Sequence, residues 1–148
     1  MPVRPTFAAK SDYARQPLSA AAIATITRAI ESSPSQGTLL LDSYGGAINR
    51  IPKAETAFVH RDMLFSFQYL AYWTGPGPAM ANLAWLRKLH AAMRPYVSGE
   101  AYVNYADPDL AQPLRAYYGS NLPRLVSIKR KVDPQRFFRY AQGLSKAT

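Results

Sequence analysis

Four consecutive residues, Tyr102-Val103-Asn104-Tyr105, place two phenols and one amide within a very short stretch of chain. In an extended conformation Tyr102 and Asn104 would project to one side and Tyr105 to the other. In one helical turn the two tyrosines would share a face. Plain packing with capped hydroxyls accounts for such a segment, since buried tyrosine keeps its O–H hydrogen-bonded. The chemical alternative is a phenol acting as general base. Free tyrosine titrates near about 10, so that role needs a nearby cation or an oriented partner. Gln68 is the next polar group of interest, near the middle of an apolar run, where glutamine ordinarily serves as a satisfied hydrogen bonder. His60 and His90 are the only histidines, cysteine is absent, and no carboxylates pair at ligand spacing, so no metal site is expected.

These residues must be held by elements that the sequence punctuates clearly. Pro2, Pro5 and Pro17 and a lack of periodicity mark residues 1–17 as an extended lead-in. A helix follows, capped by Ser19, with Ile23, Ile26 and Ile30 along one face. Residues 38–41 read as a short apolar strand ended by Tyr44-Gly45-Gly46, and residues 48–51 as a further extended piece. The clearest strand covers 63–73. Met63, Phe65, Phe67, Tyr69, Ala71 and Trp73 fall on a core face, while Gln68 lies on a mixed face suited to a polar cavity or covering structure. After Gly75-Pro76-Gly77-Pro78, the residues Met80, Leu83, Leu86, Leu89 and Met93 mark the longest helix, with His90 at its surface or rim. Pro95 ends it. Pro108-Asp109-Leu110 reads as a helix start, and a last helix is expected over 121–131 with its basic residues near the C-terminal end. The order predicts an α+β fold, an antiparallel sheet covered by helices.

Composition narrows the function classes. At 148 residues and 48% apolar content the chain can bury a core without staples, which excludes a disordered tail. The absence of cysteine excludes a disulfide scaffold and a thiol nucleophile. No apolar run approaches the ~18 residues of a membrane span, and Met-Pro-Val-Arg-Pro lacks the apolar middle of a signal peptide. The cytoplasm is therefore the expected location. A net charge of +9 raises the question of nucleic acid, but the only dense basic run is Arg124, Lys129, Arg130, Lys131, Arg136 and Arg139. No nucleic-acid-binding motif accompanies it, so a solvated helix face is the preferred reading and nucleic acid is not an expected partner.

The order of motifs resembles the C-terminal part of the berberine bridge enzyme-like FAD-linked oxidases, within the vanillyl-alcohol oxidase superfamily. The matching stretches begin with Lys10-Ser11-Asp12-Tyr13, Tyr44-Gly45-Gly46, and Thr56-Ala57-Phe58-Val59-His60-Arg61. Phe67-Gln68-Tyr69 and Trp73 follow, then Met93-Arg94-Pro95-Tyr96-Val97-Ser98 and Ala101-Tyr102-Val103-Asn104-Tyr105-Ala106-Asp107. Tyr117-Tyr118-Gly119-Ser120-Asn121-Leu122, Lys129, Asp133-Pro134, Phe137-Phe138 and Gln142 complete the series. Their order and spacing carry the resemblance over essentially the whole chain.

The resemblance implies a partial substrate domain over 18–98 and the family's C-terminal segment over 99–148. It implies oxidation of a substrate C–H, with hydride passed to flavin N5. Carried onto this sequence, Tyr102 and Tyr105 become candidates for the base or the substrate-orienting phenol. Asn104 becomes a candidate flavin contact, and Gln68 a candidate substrate-binding residue in the cavity. The family holds FAD mainly through an N-terminal FAD-binding domain, which this chain lacks, so the expected partners are that domain or subunit and a small-molecule substrate. Alone, the chain is expected to hold FAD poorly and to be inactive. A homo-oligomer stays open. The competing reading is a stand-alone ligand- or protein-binding module that kept the fold after losing catalysis.

Overall fold

The computed structural model describes residues 4–146; the first residues of the lead-in (1–3) and the last of the terminal segment (147–148) lie outside the described residues. Three strands, β1 (Thr6–Ala14), β2 (Gln36–Ser43) and β3 (Phe65–Trp73), form one sheet in the order β1-β3-β2. Both outer strands run antiparallel to β3, and the register pairs Ser11 and Leu40 with Gln68 from either side. Helix α1 (Ala20–Glu31) links β1 to β2, so β3 inserts between two parallel strands as in a split β-α-β unit. Helix α2 (Gly46–Arg50) is short, α3 (Ala79–Met93) is the longest, and α4 (Pro113–Tyr118) and α5 (Leu122–Val132) follow. The expected α+β architecture with an antiparallel sheet and covering helices is the one observed.

The core lies between the sheet and the pair α1–α3. Phe67, Tyr69, Ala71 and Trp73 of β3 meet Trp85, Leu86, Leu89 and Met93 of α3, with Ile26 and Ile30 of α1 packed alongside. Ser19 caps α1 as its sequence position predicts, its Oγ accepting from the Ala22 N–H at 3.2 Å. The indole of Trp85 donates to the Ala29 carbonyl at 2.7 Å and ties the two helices together. Gly37 makes room for this ring: a Cβ there would come within 2.5 Å of it.

Four local readings change. Residues 6–14 are extended as expected, but they form a full strand paired along β3. Their alternating polar residues Lys10 and Asp12 face the helix layer, which hides the usual apolar signature. Residues 48–51 do not extend β2; the positive φ of Gly45 and Gly46 turns the chain into α2. The helix anticipated at Pro108 begins at Pro113, because Asp107 and Asp109 engage in side-chain pairing that shapes a turn instead. His90 is mostly enclosed rather than at the rim, with Nε2 3.1 Å from the Asp12 carboxylate.

On the other side of the sheet His60 is 1% exposed and stacked on Tyr13 at 4.2 Å between ring centres. Burial is the main cause that pushes its imidazole down to about 4; backbone groups of Tyr117 and Ala101 oppose the shift without offsetting it. The folded-state value lies below the unfolded one, so neutral His60 contributes stability above about pH 6.5 that is lost as pH falls toward 4. The contribution is on the order of 3 kcal/mol. Urea unfolding midpoints should fall across this window, and His60→Phe should flatten the fall; parallel pH slopes in the two proteins would assign the effect elsewhere.

Candidate functional site

The mixed face of β3 places Gln68 between Ser11 of β1 and Leu40 of β2. Half-buried, Gln68 opens onto a cleft of about 670 Å³ beside the free edge of β1. Asn104 and Tyr105 line the same cleft, together with apolar surface from Phe7, Leu83 and Leu86. Tyr102 adjoins them. The segment is neither extended nor helical: the Tyr105 N–H donates to the Tyr102 carbonyl at 2.9 Å, closing a tight turn. The two rings meet edge to face, 5.0 Å apart at 90°, and Asn104 Nδ2 donates to Tyr102 Oη at 2.9 Å. Of the four residues singled out from the sequence, Gln68, Asn104 and Tyr105 line the cleft, and Tyr102 is joined to it only through Tyr105 and Asn104.

The turn is anchored at each end. The Tyr102 N–H donates to Ser11 Oγ at 2.9 Å. At the other end Lys10 Nζ contacts both carboxylate oxygens of Asp107 at 2.9 Å and Asp109 Oδ2 at 2.8 Å. Lys10 and Asp107 are buried. Arg87 of α3 pairs with Asp109 through Nε at 2.8 Å and Nη2 at 3.1 Å. Arg87, and then Lys10, hold the Asp109 carboxyl well below the usual carboxylate range. Behind the turn, the Asp107 N–H donates to Tyr117 Oη, Tyr117 Oη donates to Gln142 Oε1, and Gln142 Nε2 donates back to the Asp107 carbonyl at 2.6 Å. Sequence reasoning did not single out Lys10, Arg87, Asp107 or Asp109 as a unit. The available signal was the Asp-Pro-Asp spacing after the tyrosines, whose partners lie far away in the chain.

Partial burial pushes the Tyr105 phenol up, and the nearby Asp42 carboxylate, Tyr102 and Tyr44 add to it. No cation opposes this shift, so Tyr105 keeps its proton and acts as a donor. Asp42 lies opposite Ser66, two positions along β3 from Gln68, on the same sheet face. The cleft's cations, Lys10 and Arg87, are already matched by Asp107 and Asp109. The arrangement suits a neutral, hydroxyl-bearing molecule in contact with apolar walls. Among the described residues no group of three or more His, Asp or Glu side chains could hold a metal ion, and no helix is long and apolar enough to cross a membrane.

The sequence profile of the family described as Berberine and berberine like matches residues 101–145, the stretch that carries the turn and its rear clamp. Berberine bridge enzyme-like 9 of Arabidopsis thaliana is 38% identical over 91% of this chain and 28% of its own length. An uncharacterized FAD-linked oxidoreductase of Bacillus subtilis is 35% identical over 89% of the chain and 29% of its length. Among solved structures, a berberine bridge enzyme-like protein of Arabidopsis thaliana superposes with a TM-score of 0.87 at 32% identity, covering 95% of this chain and 34% of that one. The chain thus spans under two fifths of the relatives it matches. With motif order, fold and these likenesses in agreement, the chain is similar over most of its length to a part of the berberine bridge enzyme-like FAD-linked oxidases.

Proposed function

We propose that this chain forms the substrate side of the active site in a FAD-dependent oxidoreductase. The observation that carries the proposal is the convergence of Gln68, Asn104 and Tyr105 on one cleft, with Tyr102 held against them by the Asn104 amide. In this reading residues 18–98 contribute part of the substrate domain and residues 99–148 the family's terminal segment.

The donor set fits one edge of a flavin ring. Asn104 spends one amide N–H on Tyr102 and lies exposed at the cleft, so its carbonyl is available to a ring N–H. The pyrophosphate is a poor fit here, because both cations of the cleft are matched by carboxylates. The phosphates and most of the cofactor are accordingly assigned to an FAD-binding part outside these 148 residues. When bound, FAD would supply the acceptor for hydride from a substrate C–H.

The chain's own residues then divide the work. Gln68 binds and orients a substrate hydroxyl through its amide. Tyr105, a retained donor, fixes a substrate oxygen in place. Tyr102 takes the hydroxyl proton as its phenolate, and the Asn104 N–H stabilises the negative charge on that oxygen. Proton removal and hydride departure together convert a carbon bearing a hydroxyl into a carbonyl, so placing a base beside that hydroxyl lowers the barrier.

The purified chain should be colourless and gain turnover only when mixed with the FAD-bearing remainder of a family enzyme. A flavin-coloured, self-sufficient chain would contradict the assignment of FAD. In the reconstituted enzyme Tyr102→Phe should lower kcat by roughly 10²- to 10⁴-fold, the range of a lost general base. Tyr105→Phe and Gln68→Leu should raise KM more than they lower kcat, by about tenfold each, as losses of one uniform hydrogen bond. Full activity in both tyrosine variants would remove the phenols from the chemistry. Tight binding of a small ligand by the chain alone, unaffected by the remainder, would favour a stand-alone binding module.

A further inference from the structure

The tyrosine turn is gripped by two consecutive residues of one edge strand that point to opposite faces of the sheet. Ser11 stands opposite Gln68 on the face away from the helices, and Lys10 stands opposite Tyr69 on the helix-covered face. Tyr102 is fastened to Ser11 and Asp107 to Lys10, so residues 102–107 straddle the free edge of β1. We propose that Lys10 is a positioning residue, whose bidentate hold on Asp107 sets the height of the Tyr102–Tyr105 turn over Gln68. The inference rests on the proposed catalytic role of that turn.

Three features give Lys10 this role rather than that of an ordinary structural cation. Its ammonium reaches two carboxylates of the turn's trailing end and no other acid, so its three donors act on this segment alone. It is buried on β1, whose neighbour in the sheet carries Gln68; displacement of the turn is therefore displacement relative to the substrate amide. The ring of Tyr117 and Gln142 fastens only the backbone of Asp107, leaving the carboxylate to Lys10 and to the Asp109 N–H. The site's geometry is thereby referred to the sheet through a charge-assisted contact, stronger than a neutral one. Lys10 does not line up as a proton carrier, since every oxygen it meets belongs to Asp107 or Asp109.

The test uses the 148-residue chain carrying Lys10→Met together with Asp107→Asn, which removes both buried charges so that neither is left unpaired. Amide hydrogen exchange should quicken about tenfold or more at Tyr102 and Tyr105, while Phe67 and Tyr69 of β3 keep their protection. Mixed with the FAD-bearing remainder of a family enzyme, the same variant should lose about tenfold to a hundredfold in kcat with KM nearly unchanged, the mark of misplacement rather than lost binding. Lys10→Arg, which keeps the charge, should recover most of the rate. If the paired variant does not fold, Asp107→Asn alone decides, since Lys10 keeps Asp109 as its partner: weakening the hold on residue 107 should quicken exchange at Tyr102 and Tyr105 and lower kcat in the same way. Unchanged exchange at both tyrosines, or unchanged kcat beside faster exchange, overturns the proposal. Absence of turnover in the parent mixture would instead count against the proposed catalytic function, with the exchange result still deciding whether Lys10 holds the turn.

Discussion

Charge on the inward face of an edge strand is the constraint around which the molecule is organised. Lys10 and Asp12 project from β1 toward the helix layer, where water cannot satisfy them. Compensation has to come from outside the strand. Helix α3 and the turn that follows it supply part of it: Arg87 pairs with Asp109, and Arg94, just past the helix end, with Asp12, while His90 Nε2 lies 3.1 Å from the Asp12 carboxylate. The loop beyond α3 supplies the rest, since Asp107 and Asp109 return to Lys10. The apolar stripe of Leu86, Leu89 and Met93 buries the adjacent side of the same helix. One rotation of α3 therefore seats the apolar stripe on the core and brings Arg87 to Asp109 and His90 to Asp12. Removing one partner would strand a buried charge, a loss typically of about 3–5 kcal/mol, whereas the intact pair itself adds little net stability.

The same compensation builds the site. A carboxylate at position 107 is required to neutralise Lys10, and that requirement brings the preceding tyrosines to the edge of β1. Burial there leaves Tyr105 with a carboxylate and two phenols as neighbours, so the fold itself keeps this phenol protonated. Tyr102 sits differently, accepting from an amide that shares its turn. Two chemically identical side chains three residues apart are thus given distinct environments.

Periodicity made much of this legible. The alternation over 63–73 marked the core face of β3 and left Gln68 on the other, and the isoleucine spacing with Ser19 located α1. The tyrosine motif drew attention to the segment that meets Gln68 at the cleft. What stayed hidden was nonlocal. In β1 the inward positions are Ala8, Lys10, Asp12 and Ala14, so the rule that equates inward with apolar gives no strand signal. Its charges become intelligible only when Asp107 and Arg94 arrive from 97 and 82 residues away. His90 looked like a surface group for the same reason, because its partner Asp12 lies on a different element. The turn at 102–105 had two local solutions, and its anchors at Ser11 and Lys10 selected a third.

The net charge of +9 belongs to a different part of the molecule from the cleft. Lys10, Arg87 and Arg94 are matched within the fold, and Arg15 is shared between Asp62 and Glu100. Part of the surplus gathers along α5 and beyond it, where Lys131, Arg136 and Arg139 are exposed beside the edge-to-face pair Phe137 and Phe138. A cleft with matched charges offers hydrogen bonds and apolar contact but no net pull on an anion, so recognition there depends on shape and on where the amides and phenols stand. Those positions are set by the two adjacent residues of β1, which makes the placement of a few polar atoms, rather than the conspicuous basic balance of the sequence, the property that the fold holds fixed.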